Sequence, residues 1–206
     1  LPSSFFKERN ISVARHKQSI PISINIYEQK GKAYVDSFSN LEIIFKDTHG
    51  LVDADCIIVT PLFDEASHKT LQGIRHATQG MIAVDIQGYL RDIDRKTKEV
   101  KKRKMDISFF NGIDVLKINE EEFSFMFSGQ KMEGLSEILT RNNNSLLIVT
   151  KGKNGSKIFT RASTYDFTVN NVINARNTVG AGDTFLAIFL HEYLLSGNIN
   201  ISVKQA

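Results

Sequence analysis

Apolar and polar positions divide the 206-residue chain into two regimes. Residues 22–27 (Ile-Ser-Ile-Asn-Ile-Tyr) alternate strictly, Gly31 supplies a turn and 33–38 return, which predicts a hairpin with one wet face. Downstream, short apolar runs at 57–59, 81–84, 115–118 and 146–149 are separated by helical stretches at 65–78, around Met105, at 120–127 and at 135–141. Strands alternating with helices predict a mostly parallel sheet covered by helices and joined by right-handed crossovers. Segments 156–160 and 165–169 predict a second hairpin, and the strongly apolar 184–195 predicts a mostly buried helix that begins near Gly180. The final Lys204-Gln205-Ala206 reads as the first turn of another helix. No internal repeat or low-complexity linker interrupts the pattern, so 1–206 is expected to be a single α/β domain.

Sheets of this kind bind ligands beyond the carboxyl ends of their strands. That rule gathers Thr60, Asp85, Asn119 and the turn Thr150-Lys151-Gly152 on one edge. The run Asn177-Thr-Val-Gly-Ala-Gly-Asp-Thr-Phe185 leads into the apolar helix, whose first turn carries unpaired N–H groups. Small residues at Gly180, Ala181 and Gly182 let an anion approach those donors, and the helix dipole favours negative charge there. Asp183, next to that place, suits the orientation of a substrate hydroxyl and acceptance of its proton. The same residues also suit plain turn chemistry, with Asp183 only complementing the dipole. A dinucleotide fingerprint does not apply, because Phe185 stands where a third glycine is required. Neither this run nor Gly152-Lys-Asn-Gly-Ser-Lys157 has the Walker A pattern.

Composition excludes more than it assigns. With 41% apolar residues the chain can bury a sizeable core, and its apolar runs are too short to span a membrane. It shows no secretory pattern, and the lone Cys56, in a run that reads as a buried strand, points to a reducing cytoplasm. The net charge of +3 is concentrated in residues 95–104, which lack interleaved aromatics and read as a solvated face or loop rather than a nucleic-acid surface. His16, His49, His68, His76 and His191 have no metal-ligand spacing.

The glycine run resembles the carboxy-terminal signature of the ribokinase or PfkB family of carbohydrate kinases, Asp-Thr-Thr-Gly-Ala-Gly-Asp-Thr-Phe, differing at its first and third positions. Similarity extends to the hairpin, like the family's lid, and to Asp85-Ile-Gln-Gly-Tyr-Leu-Arg91, Lys117-Ile-Asn-Glu-Glu-Glu122 and Thr150-Lys-Gly152, in the family's order. The resemblance implies a ribokinase-like three-layer sandwich with a mostly parallel central sheet and a small β lid that includes 20–40. It implies an ATP-dependent kinase that phosphorylates a hydroxyl of a sugar or sugar-like substrate with Mg2+. In that frame Asp183 is the catalytic base and contacts substrate, and Gly180, Ala181 and Gly182 form the anion hole. Thr150, Gly152 and Asn119 lie near the nucleotide, Glu122 serves the metal through water, Asn177 is a further metal-site residue, and Asp85 meets the substrate. Asn119 and Glu122 equally fit a helix capping box, and the two roles are compatible.

Two departures stand out. Asn177 replaces the family's aspartate, which removes a charge near the implied metal site. The family's amino-terminal sugar-holding region and the carboxy-terminal adenine enclosure have no counterpart, so the chain is expected to lack terminal parts of the fold. A nucleoside kinase of the same fold and a non-catalytic nucleotide- or metabolite-binding regulator remain as alternatives. The expected partners are a small-molecule sugar or nucleoside and, through the lid, a second copy of the chain, with neither nucleic acid nor membrane.

Overall fold

The computed structural model describes residues 26–29, 32–35, 53–63, 65–128, 134–169 and 178–206. Its elements run β1 (Ile26–Gln29), β2 (Lys32–Val35), β3 (Cys56–Val59), α1 (His68–Ala77), β4 (Met81–Asp85), β5 (Arg91–Ile93), β6 (Val100–Lys102), β7 (Val115–Asn119) and α2 (Glu120–Met126). They continue with α3 (Gly134–Arg141), β8 (Leu146–Thr150), β9 (Ser156–Thr160), β10 (Thr164–Phe167), α4 (Ala181–Ser196) and α5 (Ile199–Gln205).

The central sheet has the order β10-β9-β8-β7-β4-β3. Strands β3, β4, β7 and β8 are parallel, and the β9–β10 hairpin extends the sheet antiparallel. Because side chains alternate along a strand, each apolar run feeds two cores. Ile82, Val84, Leu116, Ile118, Leu147 and Val149 pack with Leu71 and Ile74 of α1 and with Leu135 and Leu139 of α3. Ala83, Val115, Ile148 and Ile158 meet Leu186, Phe189 and Leu190 of α4 on the other face. The result is a three-layer sandwich. Each fully buried Leu, Ile or Phe contributes about 1.5–3 kcal/mol, so these runs stabilise both layers at once.

Boundaries moved where polar side chains redirect the backbone. Glu65, expected inside the first helix, instead accepts the N–H groups of Leu62 and Phe63, both at 2.7 Å. The helix starts after Ser67, whose hydroxyl accepts the Thr70 N–H at 3.3 Å. The helix expected around Met105 is a short 3-10 turn, Ile107–Phe110, capped by Asp106. Lys204 and Gln205 close α5 instead of opening a helix. Cys56 is half-buried rather than fully buried, and burial, aided by Asp114 and Asp55, pushes its thiol up to about 11.

The lid-like hairpin is present as β1 and β2, with Ile26 opposite Val35 and Gln29 opposite Lys32. The remaining positions of 20–40 lie outside the described residues. The basic run 95–104, read above as a solvated face or loop, contains β6, which pairs antiparallel with β5. This second hairpin docks on the first: the Val35 N–H donates to Lys98 O at 2.9 Å, Tyr34 bridges Glu99, and Lys32 pairs with Glu99 at 2.9 Å. Strand β6 exists through its pairing with β5 and its contact with the first hairpin, which lies far away in sequence, so the local charge pattern hid it.

At the opposite, amino-terminal edge of the parallel strands, Asp114 Oδ2 accepts from Arg75 Nη1 at 3.0 Å and from the Ile82 N–H at 2.8 Å. Arg75 also donates to the carbonyls of Thr78 and Gly80. Asp114→Ala would leave these donors without that acceptor, and we expect it to cost about 1–3 kcal/mol in urea unfolding.

Candidate active site

The carboxyl ends of β4, β7 and β8 hold the polar groups singled out in the sequence. Asp85 ends β4 and lies beside Lys117 of β7 in register, while Asn119 pairs with Thr150 of β8. The strand alternation that sends Leu116 and Ile118 to one core sends Lys117 toward α4. Its Nζ donates to Asp85 Oδ2 at 2.6 Å, with Lys117 only 5% and Asp85 only 3% exposed. The other carboxylate oxygen of Asp85 accepts the Gln87 N–H at 3.1 Å, which starts the 3-10 turn Ile86–Leu90. Both oxygens of Asp85 therefore have protein partners.

Above this pair stands the first turn of α4. Gly180 is its N-cap at φ +82°, a left-handed conformation that favours glycine. The Ala181 N–H donates to Thr178 O at 3.1 Å, so this member of the expected anion hole is engaged in the turn. Thr184 closes the first helical bond to Gly180 O at 2.9 Å. Helix geometry leaves the N–H groups of Gly182 and Asp183 without intrahelical acceptors. Gly182 seats the turn on the strand ends: a Cβ there would lie 2.6 Å from Lys117 Nζ. Gly180, Ala181 and Asp183 are exposed.

Asn119 and Glu122 form the capping box that their spacing suggests. Asn119 Oδ1 accepts the Glu122 N–H at 2.8 Å, and Glu122 Oε2 accepts the Asn119 N–H at 3.2 Å. Burial, the largest influence, holds the Glu122 carboxyl above the usual range; Asp85 raises it further, while the bond from Asn119 and the charges of Arg91 and Lys117 lower it. Asp85, Lys117, Arg91 and Glu122 thus share one electrostatic neighbourhood. Gly152, at φ +54°, opens the short turn after β8, and Asn177 lies outside the described residues.

A carboxyl raised in the folded state imposes a cost that is fully present above its folded pKa and is relieved as pH falls through that value. Glu122→Gln keeps an acceptor for the cap and removes that cost. We expect melting at pH 7 at or above the wild-type temperature, and loss of the extra stability that wild type gains on acidification. A clear drop in melting temperature at pH 7 would mean that the carboxylate itself supports the cap.

Lys117 was not among the site residues read from the sequence. Its signal was there: a lysine inside the apolar run 115–118, where a strand covered on both faces has no solvent for an ammonium group. Among the described residues there is no group of three or more His, Cys, Asp or Glu side chains able to hold a metal ion unaided.

The sequence matches the model of the pfkB family of carbohydrate kinases over residues 38–206. A deoxyribokinase of Salmonella typhi is 30% identical over 110 residues, covering 50% of this chain and 35% of the relative, and a probable fructokinase-4 of Arabidopsis thaliana is 32% identical over 92 residues, covering 43% and 27%. The chain thus spans about a third of the length of the curated relatives it matches. A pyrophosphate-dependent kinase in the ribokinase family, complexed with a pyrophosphate analogue and myo-inositol, superimposes with a TM-score of 0.77 at 16% identity, covering 98% of this chain and 72% of the other. The ribokinase of Thermotoga maritima gives 0.63 at 19% identity, covering 86% and 58%. The fold is ribokinase-like, and the chain belongs to the pfkB family of carbohydrate kinases.

Proposed function

We propose that the protein is an ATP-dependent kinase that transfers the γ-phosphoryl group to a hydroxyl of a sugar or sugar-like substrate. The observation that carries this reading is the seating of the α4 first turn on the carboxyl ends of β4 and β7, through Gly182 and Lys117. Asp183, one residue further, is exposed to solvent.

In the proposed reaction the substrate hydroxyl oxygen attacks the γ-phosphorus and its proton passes to Asp183. The bond from phosphorus to the bridging oxygen breaks, and its electron pair leaves with ADP. The N–H groups at the start of α4 stabilise the charge on the transferring group. Asn119, Thr150 and Gly152 serve the nucleotide in this reading, and Asp85 lies at the same carboxyl edge of the sheet. The lid excludes water, and it is the face through which a second copy would pair.

A magnesium site fits the residues present. Glu122 offers one buried carboxylate at the strand edge, and a cation that keeps most of its waters needs few protein ligands. Glu122, acting through water, and Asn177 would hold Mg2+, which would neutralise charge on the donor phosphates.

The test offers ATP or pyrophosphate as donor to the full-length protein, with deoxyribose, fructose, ribose, myo-inositol and nucleosides as acceptors. Pyrophosphate is included because several structures of similar fold are described as pyrophosphate-dependent kinases. Phosphorylation of a sugar or polyol by ATP, abolished by chelating Mg2+, is the expected result. Phosphorylation of nucleosides alone assigns a nucleoside kinase, and binding without turnover assigns a regulator.

A further inference from the structure

We propose that Lys117 is a catalytic cation of this site and that Asp85 is the residue that positions it. The inference rests on the kinase reading above and adds a residue pair to it. Lys117 lies inside the apolar run of β7, with Val115, Leu116 and Ile118 fully buried. Burying a lysine–aspartate pair is weak evidence for stability, because apolar residues of similar volume do as well or better. The pair therefore calls for a chemical reason.

Its direction supplies one. The ammonium does not turn to solvent; it lies under Gly182, so close that a Cβ would sit 2.6 Å from Nζ and 3.3 Å from Cε. The start of a helix already carries about half a positive charge. A full positive charge against it is unfavourable unless an anion is held between or beside them. Asp85 supplies part of that negative charge through a 2.6 Å bond. An ammonium carries three protons, and this bond uses one. In this proposal the remaining protons and the N–H groups of Gly182 and Asp183, which have no intrahelical acceptors, serve one anion, the transferring phosphoryl group.

Lys117 takes no part in the proton transfer. The acceptor oxygen forms its bond to phosphorus, the hydroxyl proton goes to Asp183, and the electron pair of the broken bond leaves with the donor. Lys117 bonds a non-bridging oxygen whose charge it offsets, while Asp85 fixes the ammonium in line with the helix start. Asp85 thus acts on the substrate through Lys117.

The experiment compares Lys117→Met, Lys117→Arg, Asp85→Asn, Asp85→Glu and the double variant Lys117→Met/Asp85→Asn in the full-length protein. Turnover and acceptor KM are measured separately, and inorganic pyrophosphate binding is followed by calorimetry. Lys117→Met is expected to lower kcat by about 100-fold or more, with acceptor KM within about threefold, and to weaken pyrophosphate binding by about tenfold. Asp85→Asn is expected to lower kcat by about tenfold, and Asp85→Glu to recover most of it. The double variant removes both charges, so it folds without a stranded ion and is expected to remain as slow as Lys117→Met. A folded double variant with wild-type kcat and pyrophosphate affinity would overturn the proposal. If Asp183→Asn is inactive while that double variant is active, the kinase reading stands without the pair. If wild type phosphorylates nothing, the kinase reading fails, and the calorimetry still decides whether Lys117 serves an anion.

Discussion

Asp183→Asn is expected to lower phosphoryl transfer by about 1,000-fold while leaving the fold in place. The substitution keeps the shape of the side chain and removes its ability to accept a proton. Asp183 is exposed in the first turn of α4, so no buried group loses a partner. The folded state loses only the interaction of one carboxylate with the helix dipole, about 0.3–1 kcal/mol. Circular dichroism and thermal melting should therefore match wild type within about 2–4 °C, and acceptor KM should change little. If the variant melts normally and keeps wild-type turnover, Asp183 is a helix-start residue and nothing more.

Gly155→Ala is expected to destabilise the protein by about 3 kcal/mol or more, and so to lower the melting temperature on the order of 10 °C. Gly155 has φ +95°, outside the range that L side chains adopt readily. Its added Cβ would fall 1.9 Å from the carbonyl oxygen of Phe167 and 2.8 Å from its carbon. That carbonyl belongs to β10, held opposite Ser156 of β9, so the backbone cannot yield without breaking the hairpin. The turn is also fastened from the other side, by the Lys151 N–H donating to Gly155 O at 2.7 Å. Gly152→Ala, three residues earlier, is the control. It has φ +54° but nothing within 4 Å of its Cβ, so only the conformational cost of about 1–2 kcal/mol applies. Equal melting of the two variants would show that the approach of β10 is not what requires glycine at 155.

The parallel sheet was legible because short apolar runs separated by helical stretches have few other solutions. The three layers followed from strands such as 115–119, which alternate between two cores. Less legible were features set by docking between elements or by a side chain that competes with the backbone. Strand β6 is mostly charged, and only its pairing with β5 and the docking of Lys98 and Glu99 on β2 make it a strand. The start of α1 depends on Glu65 turning back to Leu62 and Phe63, a competition between side chain and helix that periodicity does not record.

At the site, the glycine run and the Asn119–Glu122 capping box could be read from spacing alone, because both are local. The Asp85–Lys117 contact joins residues 32 positions apart. Its trace in the sequence was a charge where the pattern demanded an apolar residue. Asp85 shows the same limit from the other side: its place at a strand end was predicted, but its lysine partner emerged only when β4 and β7 were set side by side.

Phosphorus NMR of the full-length protein with ATP, Mg2+ and the sugar and polyol panel tests the central claim most directly. The account expects a new phosphate-ester resonance to grow with at least one acceptor as the γ-phosphate signal of ATP declines, and expects Asp183→Asn to produce none. Binding of a sugar and ATP with no ester formed, or an equal rate of ester formation in Asp183→Asn, would contradict it.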